Sequence, residues 1–392
     1  MKRVGFVLNL TGQGWLGGVS YYRNLLGALM GLPDRAIDPV ILTADHPEAL
    51  GAARDICRIE PTGSALVDPA RMVWKARRIL QRYGGRDWLF EHLARAQRID
   101  LFSHSGHLGA RSPVATLPWI PDFQELHYPE FFTPQDRAAR LRSAREAGHN
   151  ATAILLSSDS ARQDLGRIDS AFAAKAEILR FVADVLPRDR TPDPTPVLAE
   201  HGVSAPYFLL PNQFWAHKNH IVVVEALAVL KARGFASLVV ATGNMADHRQ
   251  PGHFGQLMQR VREAGVEDVF RPIGTVSYDQ LMALMRGAVA LINPSLFEGW
   301  STTVEEAKSL GKAIALSDIA VHREQAPPRG RYFDPRQPED LADALETIWR
   351  ARDAEADRAA QRQAEQDLPQ RRLAFARSYQ EIALRTIARG QA

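Results

Sequence analysis

A chain of 392 residues, 45% hydrophobic and 24% charged, is too long for one ordinary hydrophobic core and reads as a folded protein of two domains. Its net charge of +3 is too mild to point to nucleic acid, and a single cysteine, Cys57, excludes intramolecular disulfides and cysteine-rich zinc sites, as suits the cytoplasm. No apolar run reaches the length of a membrane span, and Met1-Lys2-Arg3 followed by a short strand-like run lacks the shape of a signal peptide.

Short β-rich runs alternate with helical patterns along the whole chain, which predicts an α/β fold with parallel sheets. The first strand, Val4–Leu8, leads to Gly12, Gly14, Gly17 and Gly18 and then to a helix over Ser20–Met30. Three of these glycines spell G-x-G-x-x-G, and Asp45 follows the second strand, Pro39–Thr43, where a dehydrogenase would bind a ribose. That fingerprint wants its helix near the second glycine, whereas Trp15–Gly18 reads as a loop.

Arg71, Lys75, Arg77, Arg78, Arg82 and Arg86 follow without an acid, and Met72, Ala76, Ile79, Leu80 and Tyr83 share the opposite helical face. Such a helix suits an anionic membrane through residues 71–86; packing on its own domain is the plainer reading. Strands are predicted at Leu101–Ser103, Ala115–Trp119, Ile154–Leu156 and Ile178–Phe181, with a helix over Gln135–Ala147. His104 and His107, like His217 and His220, are three apart, a weak metal pattern without acidic partners.

Pro187, Pro192, Pro194 and Pro196 mark the best linker between domains at 1–185 and 200–370. Beyond them, strands are expected at Tyr207–Leu210, Leu238–Ala241, Val269–Arg271, Val289–Ile292 and Ala313–Leu316. Helix fills the tail from Asp340, interrupted at Pro369.

Two strand–loop–helix junctions carry the chemistry. In Asn293-Pro-Ser-Leu-Phe-Glu-Gly-Trp-Ser-Thr-Thr-Val-Glu-Glu-Ala the helix begins near Thr302 or Thr303, both good caps. A helix start there offers free N–H groups and a positive dipole end to a diphosphate. Glu298 lies in the loop and Glu306 about one turn into the helix, and each carboxylate can accept two sugar hydroxyls. In Leu209-Leu-Pro-Asn-Gln-Phe-Trp-Ala-His-Lys-Asn-His, Lys218 puts a cation at a sheet edge, able to neutralise a departing diphosphate.

The first junction resembles the E-x7-E signature of retaining GT-B glycosyltransferases, family 4 above all, commonly P-S-x-x-E-G-F-G-x-x-x-x-E-A, and Gly311 to Asp318 resembles the run that follows it. The resemblance spans nearly the whole chain and is densest from Pro211 to Asp334. It implies two Rossmann-like domains facing a cleft, acceptor on the first and nucleotide sugar on the second, with the last helix, 371–390, returned to the first.

By the same resemblance Glu298 contacts the donor sugar and Glu306 the ribose, with Gly299, Trp300, Ser301, Thr302, Thr303 and Val304 lining the donor between them. The family's arginine five residues before Lys218 is here Gln213, so that His217 or Arg323 would supply the missing charge. Gly17-Gly18-Val19 resembles the family's G-G-V loop. Trp119 to Glu130 resembles its H-D-x6-P-E stretch with Pro121 in place of the histidine, whose role would pass to Asp122 or His127.

The activity implied is retaining transfer of a hexose from a UDP- or GDP-sugar to a glycan or lipid-linked acceptor, in bacterial surface polysaccharide synthesis. No D-x-D occurs, so neither metal nor other cofactor is expected. An NAD-dependent oxidoreductase, a nucleotide-sugar epimerase and a non-catalytic nucleotide- or glycan-binding module are the alternatives.

Overall fold

The computed structural model describes residues 1–8, 16–203, 206–235, 237–247 and 249–391. The first half contributes β1 (Lys2–Val7), β2 (Ile37–Thr43), β3 (Thr62–Gly63), β4 (Leu101–Ser103), β5 (Ala115–Leu117), β6 (Ile154–Leu156) and β7 (Ala176–Ile178). The second contributes β8 (Tyr207–Leu210), β9 (Leu238–Thr242), β10 (Phe270–Gly274), β11 (Leu291–Asn293), β12 (Ile314–Ser317) and β13 (Gly330–Phe333).

These strands form sheets of order β3-β2-β1-β4-β5 and β10-β9-β8-β11-β12-β13, and a β6-β7 pair joined to β5's chain by a bridge between Trp119 and Leu155. Each ladder is parallel, so each strand is followed by a crossover, usually helical.

Burial on both faces explains the uniformly apolar strands. In β8, Phe208 and Leu210 join one core cluster while Tyr207 and Leu209 join another on the opposite face. β13 (GRYF) has no such pattern and was not foreseen; its pairing with β12 makes it a strand. The last strand of the first half falls at Ala176–Ile178, ahead of the expected Ile178–Phe181, because β6 pairs it as Ile154↔Ala176 and Leu156↔Ile178.

The described chain divides into two compact units, one of residues 1–126, 134–182 and 370–392, the other of 127–133 and 183–369. The proline-rich stretch is not a free linker: it packs within the second unit. Arg286 donates to the Leu186 carbonyl (2.7 Å) and to Thr191 Oγ1 (3.2 Å). Proline stops regular helix but does not stop packing.

Nor does Pro369 interrupt the tail, for one helix runs from Ala354 to Gln391. A proline inside a helix costs about 3 kcal/mol. Packing on both sides offsets it: Leu368 lies against the core of the second unit, while Phe375, Ala376 and Tyr379 are buried in the first.

Candidate active site

In the second sheet the connections leave β8 and β11 in opposite directions, and open α/β sheets bind ligands beyond the carboxyl ends of the strands at such a point. The two loops there are tied together. Leu296 N–H donates to the His217 carbonyl (2.9 Å), and the Asn219 side-chain amide donates to Pro294 O (3.2 Å) and Pro335 O (2.8 Å). Asn219 sits at φ +55°, a left-handed conformation that asparagine tolerates.

Behind the loops runs a buried polar relay. Thr303 Oγ1 donates to Asn212 Oδ1 (3.2 Å), Asn212 Nδ2 to Asn293 Oδ1 (3.3 Å), and Asn293 Nδ2 to Ser301 Oγ (2.6 Å). It locks the ends of β8 and β11 to the start of the Thr302–Leu310 helix. The cap of that helix is Ser301 rather than Thr302 or Thr303, its Oγ accepting from Val304 N–H (3.4 Å). Gly311 ends the helix at φ +63°, where a Cβ would run into the Ala360 carbonyl.

On this frame Lys218 and Glu298 meet, Nζ to Oε1 at 2.6 Å, with side chains only 15% and 10% exposed. Ser295 Oγ stands 2.7 Å from the same carboxylate oxygen. Burial by itself would raise the Glu298 carboxyl; the Lys218 ammonium and these hydrogen bonds outweigh it and hold the group below the ordinary glutamate range. Glu306 has no such compensation, and burial pushes its carboxyl up to about 8. At neutral pH, therefore, Glu298 is ionised and Glu306 holds its proton.

His322, which the sequence reading passed over, faces the same carboxylate electrostatically. Its Nδ1 donates to Ser317 O (2.9 Å), which leaves a lone pair on Nε2, buried and without a hydrogen-bond partner among the described residues. Burial lowers the ring to about 4 against the pull of Glu298, so it is neutral at pH 7. A cavity of about 370 Å³ lies beside these loops, lined by Tyr128, Leu296, Asp318, Ile319, Asp334 and Pro335, with Arg336.

Residues 200–367 match the family model described as glycosyl transferases group 1. This segment is a group 1 glycosyltransferase domain, and the chain that carries it is a glycosyltransferase.

Solved structures show the fold over the whole length. A glycosyltransferase from Rickettsia africae is 14% identical with a TM-score of 0.67, covering 98% of each chain. Anabaena HepE in complex with UDP and glucose is 14% identical with a TM-score of 0.69, covering 97% of this chain and 99% of that one. WaaG, a glycosyltransferase involved in lipopolysaccharide biosynthesis, is 15% identical with a TM-score of 0.60, covering 97% and 99%. The fold is GT-B. No curated protein matches the chain by sequence.

The other expected site residues of this glycosyltransferase are placed as follows. Gln213 Oε1 accepts from Asn244 N–H (2.7 Å), pinning the loop after β9. That loop passes close because Gly243, at φ +156°, has no Cβ to strike the Asn212 carbonyl. His217 does not supply the cation missing at Gln213: burial, then Lys218 and Arg249, hold its ring well below the usual range, so it is neutral. Nor does Arg323, which is exposed, doubly paired to Asp318 (2.6 and 2.6 Å) and stacked on Tyr332.

The second cation near Lys218 is Arg249, whose Nη2 is 3.4 Å from His217 Nδ1 and whose guanidinium lies 5.3 Å from the Trp215 ring. Asp247 sets its loop, accepting from Ala216 N–H (3.1 Å) and Arg249 N–H (2.9 Å). No sequence signal singled it out, since the contact depends on two loops meeting.

The acceptor stretch divides. His127 belongs with the second unit, its ring 5.1 Å from Phe297, and Tyr128 Oη donates to Leu296 O (3.3 Å). Asp122 lies in the first unit and accepts from Arg140 (2.6 Å) and Gln124 N–H (3.1 Å).

Gly17 and Gly18 are not in a loop: the helix starts at Leu16, so both stand in its first turn, while Gly12 and Gly14 fall outside the described residues. Nor do His104 and His107 share a ligand. His104 Nε2 is 2.7 Å from Tyr21 Oη and its Nδ1 2.8 Å from Ser103 Oγ, whereas His107 Nδ1 accepts from Gly109 N–H (3.2 Å).

Proposed function

We propose that this glycosyltransferase moves a hexose from a UDP- or GDP-sugar to a glycan or lipid-linked acceptor with retention of configuration, in bacterial surface polysaccharide synthesis. The reading places it in the cytoplasm, without a metal or other cofactor, and peripherally on an anionic membrane through residues 71–86. The observation that carries the transfer reading is the buried Lys218–Glu298 pair at the switch point, beside a capped helix start. HepE, of the same fold, is held with UDP and glucose and with UDP-glucose, which supports a nucleotide-sugar donor.

Breaking the bond from the anomeric carbon to the diphosphate builds negative charge on the phosphate. Lys218, Arg249 and the amides of Thr302 and Thr303 receive it; Val304 N–H is already taken by Ser301. Glu298, kept ionised, accepts sugar hydroxyls, His322 Nε2 accepts another, and Glu306 takes the ribose. Gly299 and Trp300 line the donor, Gln213 steadies its loops, and Gly17, Gly18, Asp122 and His127 serve the acceptor side. In front-side displacement the acceptor oxygen bonds the anomeric carbon as the phosphate leaves, and the acceptor proton passes to the phosphate oxygen.

A thermal-shift panel of UDP-sugars, GDP-sugars and NAD tests the donor class. A ligand at 100 times its dissociation constant stabilises the fold by about 2.7 kcal/mol. Stabilisation by a nucleotide sugar, with sugar appearing on an acceptor and turnover surviving EDTA, is the expected result. Stabilisation by NAD alone would overturn the reading, and binding without transfer would make the chain a binding module or an epimerase. Loss of turnover in EDTA, restored by manganese or magnesium, would reverse the cofactor part.

A further inference from the structure

The basic stretch of the first half folds as a helix over Met72–Gly84, followed by a second over Trp88–Ala96. The first helix is inside out. Among its described side chains, which exclude Arg82 and Tyr83, the buried ones are polar: Arg77 pairs with buried Asp87 (2.9 Å) and donates to Leu66 O (2.6 Å), and Gln81 donates to His107 O (2.6 Å). Its apolar residues face outward, with Met72 75%, Ile79 58% and Leu80 50% exposed.

Trp88 (56%) and Leu89 (37%) extend the patch onto the next helix, with Val73 (38%) on the first. These are six of the nine large apolar side chains exposed among the described residues. Such concentration is not the scattered exposure of an ordinary surface.

Charge sorts the same way. The nearby acids Asp68, Asp87 and Glu91 are buried; Asp87 pairs with Arg77 and Glu91 with Arg86. Arg71, which touches Asp68 at 3.5 Å with its side chain 59% exposed, Lys75 and Arg78 remain at the surface. At helical spacing they flank the apolar stripe on one side. The expected packing of this helix on its domain thus occurs through Arg77 and Gln81, with Trp74 half-buried, and leaves Met72, Val73, Ile79 and Leu80 uncovered.

We infer that these two helices form a docking surface for an anionic lipid bilayer. Met72, Val73, Ile79, Leu80, Trp88 and Leu89 enter the headgroup layer, and Arg71, Lys75 and Arg78 meet lipid phosphates. An apolar stripe bordered by cations, with a tryptophan at its edge, matches the two sides of that interface. The inference extends the peripheral placement proposed above and does not depend on the chemistry of transfer.

The test is flotation of the full chain with phosphatidylcholine vesicles, with and without phosphatidylglycerol. Wild type is expected to float with the anionic vesicles and to be released by salt. Lys75→Glu/Arg78→Glu should weaken binding by about fivefold for each charge removed, and Ile79→Ser/Leu80→Ser/Trp88→Ser should abolish it.

Because the altered side chains are exposed, both variants should keep the wild-type Tm and nucleotide-sugar affinity in the absence of vesicles. That measurement separates failure here from failure of the transfer reading. Wild type that stays unbound at low salt, or either variant floating like wild type, overturns the proposal. So does a concentration-dependent dimer that the apolar variant dissociates, since the patch would then be covered by a second copy.

Discussion

The two sheets share the order of their first five strands, the second adding β13 at its edge, and differ in what stands at the crossing point. In the second, the loops after β8 and β11 bring Lys218 onto Glu298 over a relay of buried amides and hydroxyls. In the first, the corresponding end of β4 carries His104 at φ +62°, set between Tyr21 and Ser103, with Tyr21 stacked on Trp119 at 4.1 Å. Burial pushes the His104 ring down to about 3, so this cluster is neutral at physiological pH. One topology thus carries a charged end and an uncharged end, which the proposed transfer assigns to the leaving diphosphate and to neutral hydroxyls respectively. Fold alone does not assign chemistry; the side chains at the strand ends do.

The largest expected effect comes from the charged end. Lys218→Ala should lower kcat/KM more than a hundredfold, roughly 2.7 kcal/mol of transition-state stabilisation. It should also displace the acid limb of the pH profile upward, because the ammonium that offsets the burial of Glu298 is gone. Lys218→Arg should restore part of both. Kinetics across pH checks this, and a nearly silent Lys218→Ala would mean that the diphosphate sits elsewhere.

Next in size is Glu306. If the ribose binds its ionised form, a carboxyl at about 8 should make a UDP-sugar bind about tenfold tighter at pH 9 than at pH 7, a dependence that Glu306→Gln removes. The sign for stability is opposite. A carboxyl raised by folding contributes stability that is complete below its unfolded pKa and lost as pH climbs through about 8. Glu306→Gln should therefore melt above wild type at pH 8, with the gap closing toward pH 4.5. Calorimetry and melting curves across pH measure both.

The smallest effects sharpen the comparison most. His322→Phe removes one neutral acceptor at the charged end, and Tyr21→Phe removes one partner of His104 at the neutral end. Each should cost about 1 kcal/mol, roughly fivefold. The first should appear in affinity for the nucleotide sugar but not for the free nucleotide, the second in KM for the acceptor with donor affinity unchanged. The same response from both variants would dissolve the distinction between the two ends.

Much of this was legible in the residues, because it is local. Apolar runs flanked by helical spacing located most strands, and the run from Asn293 to Ala307 carries its loop, helix start, Glu298 and Glu306 within fifteen residues. Short-range hydrogen bonding and burial on both faces of a parallel strand determine such features wherever the chain goes next.

The tertiary structure decided the rest, and in each case through a partner distant in sequence. Glu298 and Glu306 are the same residue type eight positions apart, yet Lys218, eighty residues from Glu298, keeps one ionised while the other is left to burial. Gln213 became a loop staple because Asn244 N–H arrives beside it, and His322 a buried acceptor because Ser317 O takes its other nitrogen. The helix over Met72–Gly84 was amphipathic by sequence, but only the pairing of Arg77 with Asp87 and of Gln81 with the His107 carbonyl turned these two polar residues inward. Desolvation and long-range pairing depend on what packs where, and no local window of sequence contains that.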